Sequence, residues 1–518
     1  MAYDRSTVQA ILDQALTEGR SSLSALQGAE VCKAYGIPVP REGLANSSEA
    51  AVELAQSMGF PVVLKIVSPD ILHKTEAGGV LVGLNGAEAV AEGYRTIVSN
   101  AKSYDPDADI TGVQVQQMMT TGQEVIIGAV TDQTFGKIVA FGLGGVLVEV
   151  LKDVTFRMAP IDRAEAQSMV EGIAAAEILR GVRGAAPVDQ SALVDLIGRV
   201  SDLVIDFPQF AEVDLNPVLS TPEGATAVDV RILVEKDAPV TPDRFSQDAI
   251  LTAMNRIMRP TSIAVIGASA EDGKIGNSVM KNLINGGYKG AIYPINPKAV
   301  EILGVKSYSS ITEVPGDVDV AVFAIPAKFV AQALEEVGQQ GAAGAILIPS
   351  GFAETGEQGL QDEVLAVARK HNVRILGPNI YGYYYTPENL CATFCTPYDV
   401  KGSVALSSQS GGIGMAILGF ARSTKMGVSA IVGVGNKADI DEDDLLTFFE
   451  QDDNTKCIAM HLEDLKDGRS FVEVAKRVSQ QKPVIVLKAG RTAMGARAAS
   501  SHTGALAGDD KVYDDILR

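Results

Sequence analysis

Arg259-Pro-Thr-Ser-Ile-Ala-Val-Ile-Gly-Ala-Ser269 is an apolar run that ends in a turn of small residues. The segment from Gly273 to Leu283 then opens a helix, and a second apolar run follows at Gly290-Ala-Ile-Tyr-Pro-Ile-Asn296. Similar runs at 318–326 and 342–349 continue the pattern at βα spacing. Because short β-branched runs between glycine turns are typical of buried parallel strands, the sequence predicts a Rossmann-like sheet. Its ligand is expected at the carboxyl ends of the strands.

This turn does not match the dinucleotide-binding fingerprint. The interval from Gly267 to Gly276 is too long for G-x-G-x-x-G, so the sequence gives no reason to expect NAD. A parallel sheet by itself does not choose a ligand, and the function has to be argued from the remaining motifs.

The bulk composition limits the possible partners and compartments. The chain has 518 residues, enough for three or four domains at about 150 residues each. Its net charge of -20 argues against a nucleic acid or an anionic membrane as a partner. The four cysteines form no CxxC pair, and no signal-peptide core or 18-residue apolar run is present. We therefore expect a cytoplasmic protein with reduced thiols.

A lysine within an apolar strand precedes a glycine-rich loop in the first segment. The strand is Phe60-Pro-Val-Val-Leu-Lys-Ile-Val67, and the loop runs from Ser68 through His73 to Gly78-Gly79. A lone strand lysine is usually an edge or snorkelling residue. Followed by such a loop, it instead suggests a phosphate cradle, although not a Walker motif.

Acidic and amide side chains alternate on two later strands. Asp214 and Asn216 lie in Glu212-Val-Asp-Leu-Asn-Pro-Val218, and Asp229 follows after a turn. Because side chains in a strand repeat every two residues, these oxygens share one face. That set suits Mg²⁺ bridging nucleotide phosphates, and the alternative is an ordinary half-exposed hairpin.

The third segment contains a candidate anion site. Gly402-Ser-Val-Ala-Leu-Ser-Ser408 runs into a hydroxyl-rich turn with Ser410 and Gly411, and a helix follows. A helix N-terminus with free amides and serine hydroxyls binds anions. A hydrolase elbow, G-x-S-x-G, is not matched, because Ser408 stands where that motif has glycine.

One histidine stands in a long loop of small residues between Lys488 and Gly508. Imidazole is a competent nucleophile near neutral pH, so His502 is a candidate carrier of a covalent group. The alternative is a flexible glycine loop with an incidental histidine. Glu463, just past the apolar run Cys457–Leu462, could hydrogen-bond the imidazole, although such a residue is more often a helix N-terminal acid.

These motifs, in this order, resemble the ADP-forming acyl-CoA synthetases. The resemblance implies a multidomain α/β protein in three parts. These are an ATP-grasp domain at 1–237, a Rossmann-like CoA-binding domain at 245–385, and a flavodoxin-like CoA-ligase domain at 400–518. It also implies that His502 is the phosphorylated histidine, that Glu463 supports it, and that His73 is a second histidine on the ATP-grasp side.

The resemblance further implies ligand-binding residues for each domain. The nucleotide would be bound by Lys65, Gly78, Gly79, Gln116, Gln117 and Glu124, with Gln116 and Gln117 at the adenine hinge. Mg²⁺ would be held by Asn216 and Asp229 with Asp214 beside them. CoA would be bound by Gly267, Ala268, Ser269, Gly276, Asn296, Lys298 and Pro326. The acid and the phosphate would meet Asn379, Ser408, Ser410 and Gly411.

The cluster Tyr381-Gly-Tyr-Tyr-Tyr385 is unusual for this family, which more often has small apolar residues here. One interpretation is a set of packed aromatic side chains near a domain junction. The other is a set of phenolic hydroxyls that line the pocket for a polar acid.

The implied reaction joins a small carboxylic acid to CoA with ATP, releasing ADP and phosphate through acyl phosphate and phosphohistidine. We also expect a homo-oligomer. Fused chains of this family continue into a further small domain, so the resemblance implies a missing C-terminal domain or a partner chain that supplies it. The alternatives are a regulatory part of a protein lysine acetyltransferase and an ATP-grasp carboxylate–amine ligase.

Overall fold

The computed structural model describes residues 3–68, 70–71, 74–119, 122–144, 153–182, 184–237, 245–397, 400–491 and 510–517. The chain forms two compact units, one of residues 1–241 with 514–518 and the other of residues 242–513. In the described part of the chain, no helix is both long enough and apolar enough to cross a membrane.

The first unit contains seven described helices and ten described strands. The helices are α1 (Arg5–Thr17), α2 (Ala25–Ala34), α3 (Ser48–Met58), α4 (Ala87–Tyr104), α5 (Arg163–Gly172), α6 (Ala176–Leu179) and α7 (Gln190–Asp206). The strands are β1 (Glu42–Ala45), β2 (Val62–Val67), β3 (Val80–Leu84), β4 (Gly112–Gln117), β5 (Gln123–Asp132), β6 (Gly136–Leu143), β7 (Val154–Met158), β8 (Phe210–Thr221), β9 (Gly224–Ala227) and β10 (Val230–Val234).

The smaller sheet of this unit has an apolar face and a polar face. Its four strands are antiparallel in the order β1-β4-β2-β3. Val62, Leu64 and Ile66 of β2 are buried in a core shared with α3 and α4. Because successive side chains point to opposite faces, Lys65 lies on the other face, opposite Gln114 of β4.

The larger sheet is also antiparallel, in the order β10-β8-β5-β6-β7, with β9 paired to β8. Five of the helices contribute to the core on one face of this sheet. In α7, Leu193, Ile197, Val200 and Val204 are buried at the spacing of an amphipathic helix. Val213 and Leu215 of β8 face this core, so Asp214 and Asn216 lie on the opposite face.

The second unit contains α8 (Gln247–Met258), α9 (Ile275–Gly286), α10 (Val330–Gln339), α11 (Gln358–His371), α12 (Gly411–Thr424), α13 (Glu442–Gln451) and α14 (Gly468–Ser479). Its strands are β11 (Ser262–Ile266), β12 (Ala291–Ile295), β13 (Glu301–Ile302), β14 (Val305–Lys306), β15 (Val320–Phe323), β16 (Gly344–Leu347), β17 (Arg374–Leu376), β18 (Gly382–Tyr385), β19 (Leu390–Thr393), β20 (Lys401–Ser408), β21 (Val428–Gly433), β22 (Cys457–Leu462) and β23 (Val484–Lys488). A last described helix is α15 (Asp510–Ile516).

The runs that predicted parallel strands form a five-stranded parallel sheet in the order β12-β11-β15-β16-β17. Its central strands are buried on both faces, which explains their continuous apolar sequences. A small antiparallel pair, β13 and β14, follows β12.

A six-stranded mixed sheet has the order β19-β18-β21-β20-β22-β23. The four strands from β20 to β23 are parallel, whereas β18 and β19 join the edge in antiparallel pairing. The tyrosine strand β18 therefore belongs to this sheet and not to the five-stranded one. The predicted class, an α/β protein with an open parallel sheet, is confirmed.

Candidate active site

Lys65 is the cation at the centre of the polar face of the four-stranded sheet. Its side chain is only 12% exposed, and its Nζ lies 3.3 Å from Asp229 Oδ1. Asp229 follows β9 in the larger sheet, so this ion pair joins facing surfaces of the two sheets of the first unit. The lysine therefore lies between the two sheets and not at a sheet edge, and its role as a phosphate-binding group stays a prediction.

The three predicted metal ligands lie on the open face of the larger sheet. Asp214 is opposite Arg231, and Asn216 is opposite Asp229, whose carbonyl accepts the Asn216 N–H at 3.3 Å. Burial, together with the neighbouring Glu212 carboxylate, raises the pKa of Asp214.

Within the described ranges, no three His, Cys, Asp or Glu side chains converge as a metal cage. Two carboxylates and one amide oxygen fit Mg²⁺ that takes its other ligands from nucleotide phosphates and water. The assignment of Asp214, Asn216 and Asp229 as Mg²⁺ ligands thus remains a prediction that is consistent with the geometry.

Gln116 and Gln117 differ sharply in their surroundings. Gln116 is 3% exposed, and its Nε2 donates to Glu42 Oε2 at 2.9 Å and to the Val228 carbonyl at 3.1 Å. Both amide hydrogens are used inside the protein, so this side chain has none for a base. Gln117 is half-buried and accepts a hydrogen bond from Arg41. Glu124 is exposed at the start of β5.

The double glycine forms a closed turn. The Gly78 N–H donates to the Thr75 carbonyl at 3.1 Å, and the Gly79 N–H donates to the Lys74 carbonyl at 2.7 Å. Gly78 has a φ of +58°, and a Cβ on Gly79 would lie 2.9 Å from the Lys74 carbonyl oxygen. The two amides are already used, so these glycines shape the turn and are not free phosphate donors. His73 itself lies outside the described residues.

A cavity of about 960 Å³ opens at the carboxyl ends of the parallel strands in the second unit. It gathers most of the predicted CoA residues, namely Gly267, Ala268, Ser269, Gly276, Asn296 and Pro326. Asn379 and Gly411, predicted for acid and phosphate, line the same cavity. A pocket at this edge of a parallel sheet is where the fold places its ligands.

Close backbone packing explains two glycines of this cavity. A Cβ on Gly276, at the start of α9, would clash with the carbonyl oxygen of Gly267. Gly267 has a φ of +83°, a conformation that side chains disfavour. Lys274, the residue before α9, makes no side-chain cap, so the helix N-terminus offers its amides to an anion.

Asn296 is held by the turn, because its Nδ2 donates to the Ala268 carbonyl at 2.8 Å. Lys298, the other residue predicted on this strand end, does not line the cavity. Its backbone N–H donates to Asn296 Oδ1 at 2.8 Å. Through this backbone hydrogen bond, Lys298 helps to hold the side chain of Asn296 in place.

The hydroxyls predicted to bind phosphate are engaged within their own turn. Ser408 Oγ donates to the Ser410 carbonyl at 2.7 Å, and Ser410 Oγ caps α12 by accepting from the Ile413 N–H at 3.5 Å. Both serines are buried, and Gly411 is the member of this set that lines the cavity. The first amides of α12 are what this turn presents to an anion.

Glu463 lies at the end of β22 and is 6% exposed. Its N–H donates to Gln409 Oε1 at 2.9 Å, and its carbonyl accepts from Lys488 Nζ at 2.8 Å. Two residues earlier in the chain, His461 Nδ1 lies 3.4 Å from Ser408 Oγ. Burial and the nearby Lys488 ammonium lower the pKa of His461. His502 lies outside the described residues, so its partnership with Glu463 stays a prediction.

The tyrosine cluster divides into two kinds of environment. The hydroxyls of Tyr383, Tyr384 and Tyr385 donate to the Ile257 carbonyl, the Thr396 carbonyl and Asp452 Oδ1, at 2.7, 2.7 and 2.8 Å. All three are fully buried and do not line the cavity, so the acid-pocket interpretation is wrong for them. Packed aromatics is the correct interpretation. Tyr381 does line the cavity, but its hydroxyl is buried.

The sequence argument missed several residues of the cavity wall. Gln409 lines it and also binds the Glu463 and Asp464 amides, while its Nε2 donates to Asp464 at 2.5 Å. Further wall residues are Ile325, Ile348, Pro349, Phe394, Cys395 and Met415. Except for Met415, which lies in α12, these residues follow β15, β16 or β19, and that position was the available signal, since side chains at strand ends face the ligand.

A partly buried lysine between the two sheets of one unit and a strand-end cavity with two helix N-termini in the other are typical of α/β enzymes that bind anionic ligands. Comparison with protein families agrees with this class. The family models for an ATP-grasp domain, a CoA-binding domain and a succinyl-CoA-ligase-like flavodoxin domain match residues 14–234, 261–386 and 401–518.

The chain belongs to the family of ADP-forming acetate–CoA ligases. It is 39% identical over 490 residues to acetate–CoA ligase [ADP-forming] II of Archaeoglobus fulgidus, covering 93% of this chain and 70% of that protein. The acetate–CoA ligase [ADP-forming] I of Pyrococcus furiosus is similar through two separate subunits. Its alpha subunit is 54% identical and its beta subunit 44% identical, over 51% and 43% of this chain and 59% and 96% of the respective subunits.

A solved structure is also similar. It is the Candidatus Korarchaeum cryptofilum dinucleotide-forming acetyl-coenzyme A synthetase 1 in complex with phosphate and ADP, at 46% identity and a TM-score of 0.50. The similarity covers 50% of this chain and 57% of that chain. The predicted family and three-part fold are confirmed, and so is the prediction of a ligase. The chain spans only part of most of these relatives.

Proposed function

We propose that this chain makes acyl-CoA from a small carboxylic acid, CoA and ATP, with release of ADP and phosphate. The observation that carries this proposal is the strand-end cavity, where Gly267, Gly276 and Asn296 meet Asn379 and Gly411. A thioester-forming enzyme needs its CoA and acid groups in one pocket. Family membership supports the same reaction, because relatives are named as ADP-forming acetate–CoA ligases.

In the proposed sequence, the γ-phosphoryl group moves from ATP to His73, then to His502, and then to a carboxylate oxygen of the acid. The P–N bond to His502 breaks as the P–O bond of the acyl phosphate forms. The CoA thiolate then attacks the acyl carbon, and the C–O bond to phosphate breaks. Histidine can carry the group because imidazole is nucleophilic near neutral pH.

The described residues would bind and orient the reacting groups. Lys65 would hold the transferred phosphate, since its ammonium is confined between the two sheets. Glu463 would orient the imidazole of His502. The first amides of α12 would bind phosphate at the acid site. Asp214, Asn216 and Asp229 would hold Mg²⁺, which neutralises charge on the nucleotide phosphates.

The proposed domains are 1–237, 245–385 and 400–518, and the proposed partners are the three substrates and other copies of the chain. A related enzyme occurs as separate alpha and beta subunits, whereas this chain matches both. We propose that the fused chain oligomerises.

The test is a brief incubation with ATP labelled in the γ-phosphate. The wild-type protein is expected to take up label that is stable to base and labile to acid. His73→Ala should remain unlabelled, whereas His502→Ala should take up label at His73 but keep it when acid and CoA are added. Adding acid and CoA should discharge the label and produce acyl-CoA. If the protein is active but takes up no label, a carboxylate–amine ligase is favoured instead, because that class forms acyl phosphate without a phosphohistidine. An unlabelled, inactive protein that still binds acyl-CoA would favour a regulatory role in a lysine acetyltransferase.

A further inference from the structure

Glu42, Gln114 and Gln116 form a buried hydrogen-bonded group on the polar face of the four-stranded sheet. Glu42 Oε2 accepts hydrogen bonds from Gln114 Nε2 at 2.8 Å and from Gln116 Nε2 at 2.9 Å. The two glutamines are 2% and 3% exposed. Strand register fixes the group, because Gln116 is opposite Glu42 and Gln114 is opposite Lys65.

Gln116 also connects this sheet to the larger one. Its Nε2 donates to the Val228 carbonyl at 3.1 Å. The Val228 N–H donates to the Pro217 carbonyl at 2.9 Å, so Val228 is tied to β8 as well. The residue after Val228 is Asp229, one of the proposed metal ligands. The Gln116 amide therefore acts as a strut between the two sheets. It holds the backbone beside Asp229 at a fixed distance from the four-stranded sheet that carries Lys65.

A second link between these surfaces is the ion pair between Lys65 and Asp229. Under the proposed function, a bound nucleotide would draw the ammonium to phosphate and the carboxylate to Mg²⁺. The ion pair between Lys65 and Asp229 would then be replaced by contacts of each side chain with the bound ligand. The hydrogen bonds of Gln116 involve no ligand-binding group, so they would persist with the nucleotide in place.

We propose that Glu42 and Gln116 are positioning residues of the nucleotide site. Glu42 orients the Gln116 amide, and Gln116 holds Asp229 in place relative to Lys65, so that Mg²⁺ and nucleotide meet a preformed arrangement. This inference rests on the proposed function for the identity of the ligand. It gives Gln116 a role in place of the adenine contact implied by family resemblance.

The experiment is calorimetric titration of the full chain with ADP and with GDP, each with and without Mg²⁺. Gln116→Leu keeps the side-chain size and removes both donors. The gain in ADP affinity that Mg²⁺ provides is expected to fall roughly tenfold, the value of one or two buried hydrogen bonds. Affinity for metal-free ADP and the ratio of ADP to GDP affinity should stay within about twofold, in line with a strut outside the base site.

Matched variants separate this strut from general packing. Gln114→Leu removes the other amide bonded to Glu42 but breaks no bond to Val228, so it should leave the Mg²⁺-dependent gain intact. Glu42→Leu should reproduce the Gln116→Leu result, which provides a second route if that variant folds poorly. Glu42→Gln keeps an acceptor oxygen and should retain most of the gain.

Two results would overturn the inference. One is a Gln116→Leu protein that loses its preference for ADP over GDP while keeping its Mg²⁺ dependence, which would show a base contact. The other is an equal loss of the Mg²⁺-dependent gain in ADP affinity in Gln114→Leu and Gln116→Leu, which would show that Gln116 has a packing role alone. Binding is measured without turnover, so a wild-type protein that binds Mg²⁺ and ADP but makes no acyl-CoA would refute the proposed function and leave this inference standing.

Discussion

Tyr383→Phe should destabilise the second unit, although it removes only one oxygen atom. The Tyr383 hydroxyl donates to the Ile257 carbonyl at 2.7 Å, and the ring is fully buried. Ile257 lies in the last turn of α8, where backbone carbonyls have no donor from within the helix. Phenylalanine would leave this carbonyl buried without a hydrogen bond, which costs about 2 kcal/mol.

Tyr381→Phe is the matched control for this change. The Tyr381 ring is also buried, but in the described part of the chain its hydroxyl has no hydrogen-bond partner. Removing it breaks no bond, so the free energy of unfolding should be unchanged or slightly higher. The two variants thus differ in hydrogen bonding while sharing the same chemical substitution.

Thermal unfolding of the ligand-free protein, followed by calorimetry, measures the difference. We expect the transition of the second unit to fall by roughly 4–8 °C in Tyr383→Phe and to move little in Tyr381→Phe. The order of preference among small acids should be the same in Tyr383→Phe and wild type, since the ring lies outside the cavity. Equal destabilisation by both variants would refute the reasoning.

Two further predictions concern the CoA cavity and pH. Gly276→Ala should weaken CoA binding at least tenfold in a direct binding assay, because the added Cβ clashes with the Gly267 carbonyl and must displace the turn. The control for simple backbone strain is Gly273→Ala, since a Cβ there meets no atom within 4 Å but the residue has a φ of +85°. Burial raises the pKa of Asp444 to about 7 despite the neighbouring Arg374. The folded state therefore binds the Asp444 proton more tightly than the unfolded state, and this tighter binding stabilises the fold. The stabilisation is fully present below pH 4 and is lost as pH rises through about 7. The unfolding free energy of wild type should fall more steeply between pH 4 and 7 than that of Asp444→Asn; parallel curves would contradict the assignment.

Local patterns in the sequence were sufficient for the fold class and for much of the candidate site. Apolar runs at βα spacing predicted β11, β12, β15 and β16. In β11, β15 and β16 the reason is burial on both faces, because such a strand has to be apolar throughout. The alternation of Asp214 and Asn216 placed both on one face of β8, since strand geometry has a period of two. The structure supplies the reason for Gly276, because a Cβ at this position would clash with the carbonyl oxygen of Gly267.

The partners of buried polar side chains were decided only by the tertiary structure. The family resemblance implies that Gln116 lies at the adenine hinge, yet its amide binds Glu42, 74 residues away, and Val228, 112 residues away. Tyr383 was a candidate for the acid pocket, yet its hydroxyl caps a helix 126 residues earlier in the chain. A side-chain donor is directed by whichever acceptor the fold brings within hydrogen-bond distance, and periodicity along the strand does not carry that information. The sequence thus determined which face each residue occupies, whereas packing between distant segments decided which hydrogen-bonding groups remain for a ligand.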